Sequence, residues 1–76
     1  MLTEKRMNRE LGQWLKTKRR ERRITVEIVG NRMGCDHSTI SHYESGRNTM
    51  SAIALKKYCD AINLDMTEAV RFLQDL

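Results

Sequence analysis

A short stretch near the middle of the chain concentrates small polar and titratable side chains. Between Cys35 and Glu44 it reads CDHSTISHYE. Three kinds of chemistry use these residue types: metal ligation by cysteine and histidine, nucleophilic catalysis by a serine beside a base, and hydrogen bonding to a ligand. Serine, threonine and neutral histidine can each donate and accept hydrogen bonds. Spacing along the chain helps to decide among the three.

The cysteines and histidines do not have the spacing of a zinc site. Cys35, His37, His42 and Cys59 include no C-x-x-C pair, which structural zinc sites commonly use. Catalysis is disfavoured as well, because Ser41 and His42 are neighbours without the Gly-x-Ser-x-Gly elbow that exposes a nucleophile. A chain of 76 residues leaves little room for a catalytic pocket. The sequence therefore predicts no metal, no cofactor and no enzymatic activity.

The polar stretch belongs to the third of five predicted helices. Proline is absent and helix-favouring residues dominate, so the chain is predicted to be one all-α domain over residues 1–76. Thr3, Thr25, Asp36, Ser51 and Asp65 are predicted N-caps. The helices are predicted at about residues 3–22, 26–33, 37–44, 52–62 and 66–75.

Apolar residues recur at helical spacing and predict which faces are buried. In the first helix Met7, Leu11, Leu15 and Lys18 fall at helical spacing with Trp14 beside them, and both cysteines fall on predicted core positions. The predicted inward-facing residues of the second, third and fourth helices are Val26, Val29, Gly30, Met33, Ile40, Tyr43, Ile53, Leu55, Tyr58, Cys59 and Ile62.

The turn before the polar stretch predicts how the third helix is presented. Gly34, Cys35 and Asp36 join two short helices, and a glycine-bearing turn of this length sets helices at a steep angle. The third helix then projects, and its short polar groups can lie against DNA base edges. Residues 1–23 hold nine Lys and Arg against three Asp and Glu. This charge suits a polyanion, which could be DNA, RNA or an acidic lipid surface. A solvated helix face with many charges would also explain it.

Four stretches of the chain carry a resemblance to a known family. They are Leu11–Leu15 with Arg19, Ile24–Thr25, Val29–Gly46 and Leu55–Asp65. They resemble the Xre family, the helix-turn-helix group of lambdoid phage repressors and Cro proteins. The resemblance spans roughly residues 11–70 without an insertion. It implies a compact, five-helix, lambda-repressor-like domain whose helix-turn-helix covers about residues 25–45.

The resemblance also implies roles for individual residues. His37, Ser38 and His42, with Thr39 in part, would contact bases, and Arg19 would pair with Glu44 as a structural ion pair. Contacts to the DNA phosphates would come from Thr25, Val26, Ser41, Arg47, Asn48, Thr49 and Arg23.

The chain departs from the family pattern at several positions. Val26 occupies the place of a phosphate-gripping glutamine, Gly30 replaces a common alanine, and Ser51 stands near the place of a loop proline. The first helix is extended by one or two turns that carry Lys5, Arg6 and Arg9, whose role the resemblance does not supply.

The last helix is predicted to mediate dimerisation. Met66, Ala69, Val70 and Leu73 suffice to pack it on the domain, which leaves Phe72 and Leu76 over on a neighbouring face. Surplus apolar side chains often mark an interface, and the family usually pairs through its C-terminal region. The expected dimer interface comprises Phe72, Leu76, Val70 and Leu73.

These observations lead us to expect a homodimeric, sequence-specific regulator that binds double-stranded DNA at a near-palindromic operator. The alternative is an antitoxin or adaptor that uses the same fold to bind protein, but such a helix would carry apolar residues on its outer face. Because the N-terminus lacks the apolar stretch of a signal peptide, we expect a cytoplasmic protein with no membrane partner.

Overall fold

The computed structural model describes residues 2–76. They form five helices and contain no strand: α1 is Glu4–Glu21, α2 is Val26–Met33, α3 is His37–Ser45, α4 is Ala52–Ala61 and α5 is Met66–Gln74. The all-α prediction is confirmed, and each helix boundary lies within one residue of the predicted one. None of these helices is long and apolar enough to cross a membrane.

Each helix begins where the sequence predicts a capping side chain. The side chains of Thr25 and Ser51 accept hydrogen bonds from the backbone N–H groups of Ile28 at 3.2 Å and Ala54 at 3.0 Å. These bonds satisfy N–H groups that a helix leaves without an internal partner. Thr3, Asp36 and Asp65 cap α1, α3 and α5 in the same way. All five predicted caps are confirmed.

The core lies where α1, α2, α3 and α4 meet, and α5 closes it from one side. Leu15, Val29, Ile40, Tyr58 and Ile62 have no exposed surface. Val26, Met33 and Tyr43, which were predicted to face inward, are only half-buried.

The prediction that Ile53 is buried is wrong. Ile53 is 71% exposed, because it lies two residues before the buried Leu55 and therefore about 200° away around α4. Met7 lies on the N-terminal extension of α1, one turn before Leu11, and is also exposed. Helical spacing identifies a face but does not show where along it the neighbouring helices end.

The aromatic residue of α5 packs against α1 instead of remaining free. The Phe72 ring stacks on the Trp14 ring with 5.0 Å between centroids and 16° between the planes. The prediction that Phe72 is left over after folding is therefore wrong, because it attaches α5 to α1. Val70, which was predicted to help pack α5 on the domain, is 41% exposed instead, and Leu76 is 40% exposed.

Candidate nucleic-acid interface

The turn between α2 and α3 is tight and depends on two glycines. Gly34 is left-handed, with φ 74° and ψ 31°, a conformation that glycine adopts without steric cost. The Cys35 N–H then donates to the Gly30 carbonyl at 2.9 Å. A Cβ on Gly30 would lie 2.8 Å from the Cys35 carbonyl oxygen, so the absence of a side chain at Gly30 allows the turn to pack directly on α2.

The outer face of α3 is open and carries short polar side chains. His37, Ser38 and Ser41 are exposed, whereas Thr39 and His42 are half-buried. The apolar side of the helix faces the core through Ile40, which has no exposed surface. The predicted base-contacting residues are therefore accessible.

Two polar contacts restrain the ends of this face. His37 Nδ1 lies 3.4 Å from the Asp36 carboxylate, and Arg47 Nη1 lies 3.5 Å from His42 Nε2. The backbone N–H of Ser38 holds the pKa of the Asp36 carboxyl below its ordinary value by hydrogen bonding to it. The cap carboxylate is consequently charged at neutral pH.

A buried polar network fixes the C-terminal end of α3 to the rest of the domain. Arg19 donates from Nε to one Glu44 oxygen at 2.7 Å and from Nη2 to the other at 3.0 Å. The two residues are 8% and 5% exposed. The predicted ion pair is thus confirmed, and its two-pronged geometry fixes orientation as well as distance.

Two further groups complete the network. The Tyr58 hydroxyl of α4 donates to Glu44 Oε2 at 2.5 Å, and Arg19 Nη1 donates to the Ile24 carbonyl at 2.7 Å. Burial raises the pKa of Tyr58, and its hydrogen bond to Glu44 raises it further. Sequence reasoning placed Tyr58 in the core but missed its hydroxyl's partner, although a buried tyrosine usually has one.

The network also positions the start of α2. Arg19 binds α3 through Glu44, and it binds the segment between α1 and α2 through the Ile24 carbonyl. Arg23 on this segment is exposed and left-handed, with φ 56°, and Thr25 is the exposed cap. Val26 is half-buried, so α2 offers a phosphate its first backbone N–H groups and not a polar side chain at that position.

The last turn of α3 lies unusually close to α1. A Cβ on Gly12 would lie 2.5 Å from the Glu44 carbonyl oxygen, and a Cβ on Gly46 would lie 2.6 Å from Arg9 Cα. Gly46 also has φ 79°, which ends α3 in the left-handed region. Both positions therefore require glycine, and sequence reasoning assigned Gly46 only the end of the helix.

The loop after α3 is held by α3 itself and by α1. The backbone N–H groups of Arg47 and Asn48 both donate to the His42 carbonyl, at 3.0 and 3.3 Å. Asn8 Nδ2 donates to Thr49 Oγ1 at 2.8 Å across 41 positions of sequence. Arg47, Asn48 and Thr49 are exposed. Asn8 was not predicted to act here, and no spacing in the sequence indicates its contact.

Comparison with known proteins agrees with this geometry. A family model described as "Helix-turn-helix domain" matches residues 10–72. The chain belongs to the helix-turn-helix domain family. In this helix-turn-helix protein, α2 and α3 are the two helices and residues 34–36 form the turn. Residues 2–9, with the first turns of α1, precede the region matched by the family model.

A solved structure shows the same fold at low sequence identity. The crystal structure of the clp gene regulator ClgR from C. glutamicum matches with a TM-score of 0.83 at 19% identity, covering 91% of this chain and 90% of that chain. No curated protein matches the sequence. This likeness shows a shared fold and no more, because the two sequences are only 19% identical.

Proposed function

We propose that this helix-turn-helix protein binds double-stranded DNA in a sequence-specific manner and regulates transcription, with α3 as its recognition helix. The observation that carries the proposal is the open polar face of α3, whose far end is anchored by the Arg19–Glu44 pair. A helix that reads bases in the major groove needs short hydrogen-bonding side chains and a fixed orientation. This helix combines both.

Base recognition in this proposal rests on the N-terminal and central part of α3. His37, Ser38 and His42, with Thr39 in part, contact base edges in the major groove. Serine and threonine hydroxyls suit either donors or acceptors on a base, and histidine offers one of each in its neutral form. The contact between Arg47 and His42 limits the orientations of that ring.

Phosphate contacts on both sides of α3 set the position of the helix in the groove. The start of α2 contributes Thr25 and the backbone at Val26, with Arg23 beside them. Ser41 lies on α3 itself, and the loop after α3 contributes Arg47, Asn48 and Thr49. Such contacts carry little sequence information, but they fix register and supply much of the affinity.

We also propose that two copies pair through α5, in the manner of Xre-family repressors, Cro proteins or restriction–modification controllers. Val70 on α5 and Leu76 just after its end are each about two-fifths exposed, while Leu73 and Phe72 are half-buried on the same helix. A twofold dimer places its recognition helices in successive major grooves, roughly 34 Å apart. Its operator is then near-palindromic, and occupancy follows protein concentration.

Selection of bound sequences from a random DNA pool tests the proposal, followed by gel shifts on the selected site. We expect His37→Ala and Ser38→Ala to weaken binding to that site while leaving binding to random duplex unchanged. Thr17→Ala is the matched control, because Thr17 lies on α1, away from α3, and its exposed hydroxyl donates only to the Gln13 carbonyl of the same helix. No enrichment, or equal losses on both duplexes, would contradict the assignment. A protein that shows no salt-dependent DNA binding at all is better explained as an adaptor.

A further inference from the structure

The first turns of α1 and the loop after α3 form the two walls of an open surface groove. Glu4, Lys5, Asn8 and Arg9 line one wall, and Arg47 and Thr49 line the other. The groove encloses about 540 Å³, enough space for a phosphodiester group. The four residues of the first wall precede the part of the chain that matches the helix-turn-helix family model.

The groove carries an excess of positive charge without internal compensation. Three of its side chains are cationic, those of Lys5, Arg9 and Arg47, and one is a carboxylate, that of Glu4. Within residues 2–76, none of the three cations has a carboxylate oxygen within 4.0 Å. These donors are therefore available to an anion from outside the chain.

The two walls are held at a fixed separation. Asn8 Nδ2 donates to Thr49 Oγ1 at 2.8 Å, and the backbone of Gly46 packs directly against Arg9. Because the Thr49 oxygen acts as the acceptor, its own hydroxyl hydrogen remains available to donate to a second group. Asn8 thus orients a neutral donor on the same side of the molecule as the cations.

We propose that this groove binds one outer phosphate of the DNA backbone jointly from both walls, so that Lys5 and Arg9 of α1 add to the contacts of Arg47 and Thr49. The inference rests on the proposed DNA binding, and it gives the extended first helix a role. Lys5, Arg9 and Arg47 supply the charge, Thr49 supplies a hydroxyl donor, and Asn8 is a positioning residue. DNA is favoured over other sources of phosphate because the groove continues directly from the recognition helix through Arg47.

Two matched variants test the groove by the salt dependence of binding. Arg9→Gln removes a charge inside the groove and keeps the side-chain stem that packs near Gly46. Arg6→Gln removes the same charge from the same turns, but Arg6 does not line the groove. Affinity for a random-sequence duplex is measured over a tenfold range of salt concentration, and circular dichroism verifies that both variants fold.

The loss of one phosphate contact reduces the log–log salt slope by about 0.9. We therefore expect the affinity ratio of wild type to Arg9→Gln to change about 8-fold per groove across a tenfold salt range. The Arg6→Gln slope is expected to equal that of wild type. Equal slopes for the two variants, with a steep wild-type slope, would overturn the groove assignment alone. A flat wild-type slope would overturn the proposed DNA binding itself.

A footprint tests the positioning role of Asn8. Ethylation of individual phosphates on the selected operator interferes with binding wherever a phosphate is contacted. We expect Asn8→Ala to lose interference at one outer phosphate per half-site and to retain it at the others, because the loop keeps its bonds to the His42 carbonyl. An unchanged pattern, or a uniform loss at all phosphates, would show that Asn8 does not position this contact.

Discussion

Removing one partner of the ion pair between Arg19 and Glu44 should cost a large share of the stability of this chain. Arg19→Met leaves the Glu44 carboxylate, 5% exposed, with the Tyr58 hydroxyl as its remaining partner within residues 2–76. Removing one partner of a buried pair costs about 3–5 kcal/mol. A chain of this length has a free energy of unfolding of about 4–11 kcal/mol. The variant is therefore expected to lose roughly half of its stability.

Replacing both charged residues should cost less than the sum of the two single changes. Arg19→Met combined with Glu44→Met leaves no buried charge, although the Tyr58 hydroxyl loses its short bond to Glu44 and keeps only the Leu15 carbonyl at 3.5 Å, which costs about 1 kcal/mol. Adding Tyr58→Phe should recover part of that loss. We expect an interaction energy of about 0.5–3 kcal/mol between positions 19 and 44, as found for residues in one network.

Urea denaturation followed by far-ultraviolet circular dichroism measures these free energies. Lys56→Ala with Asp60→Ala serves as the control, because that pair has a 2.8 Å contact but both side chains are 60% exposed. An exposed pair contributes little, since solvent screens it. If the costs at positions 19 and 44 simply added, the two side chains would not act as a pair, and the reasoning from burial would be refuted.

Three further changes test other parts of the structure. Gly12→Ala would place a Cβ 2.5 Å from the Glu44 carbonyl oxygen and should cost about 1–3 kcal/mol despite the higher helix propensity of alanine; an unchanged urea midpoint would contradict the close packing. Burial raises the pKa of Cys59 to about 11. Iodoacetamide at neutral pH should therefore label Cys35 in the native protein and spare Cys59, which mass spectrometry can show. Equal labelling rates would be evidence against that burial. The pKa of Asp36 is lowered in the folded protein, so its contribution to stability is present above the ordinary carboxyl pKa and is lost as pH falls through the lowered one. Asp36→Asn should therefore reduce the fall of Tm in acid. An unchanged dependence of Tm on acid pH would argue against a stabilising charge at this cap.

The helix boundaries could be predicted because their signals are local. Thr25 and Ser51 each cap a helix through a backbone N–H three residues away, and Gly34 stops α2 through its own φ angle. A reader of the sequence needs only a few neighbouring residues to identify such features. The accessible face of α3 followed in the same way, from the spacing of Ile40 among polar residues.

The side chains that depend on helix crossings could not be predicted from local pattern. Phe72 and Val70 are two positions apart on one amphipathic helix, and only the course of α5 over Trp14 decides which of them is covered. The bond from Asn8 to Thr49 joins residues 41 positions apart and leaves no periodic trace. Arg19 and Glu44 are 25 positions apart, so no local pattern indicates their ion pair, which was predicted only through the family resemblance.

The stacking of Phe72 on Trp14 has a practical consequence. Trp14 is the single tryptophan of the chain, and the ammonium group of Lys18 lies 5.4 Å from the centre of its ring. Its indole emission is therefore sensitive to the attachment of the C-terminal helix to the first. Fluorescence during dilution or titration can follow that attachment without a label, in a molecule whose other helices contribute no indole signal.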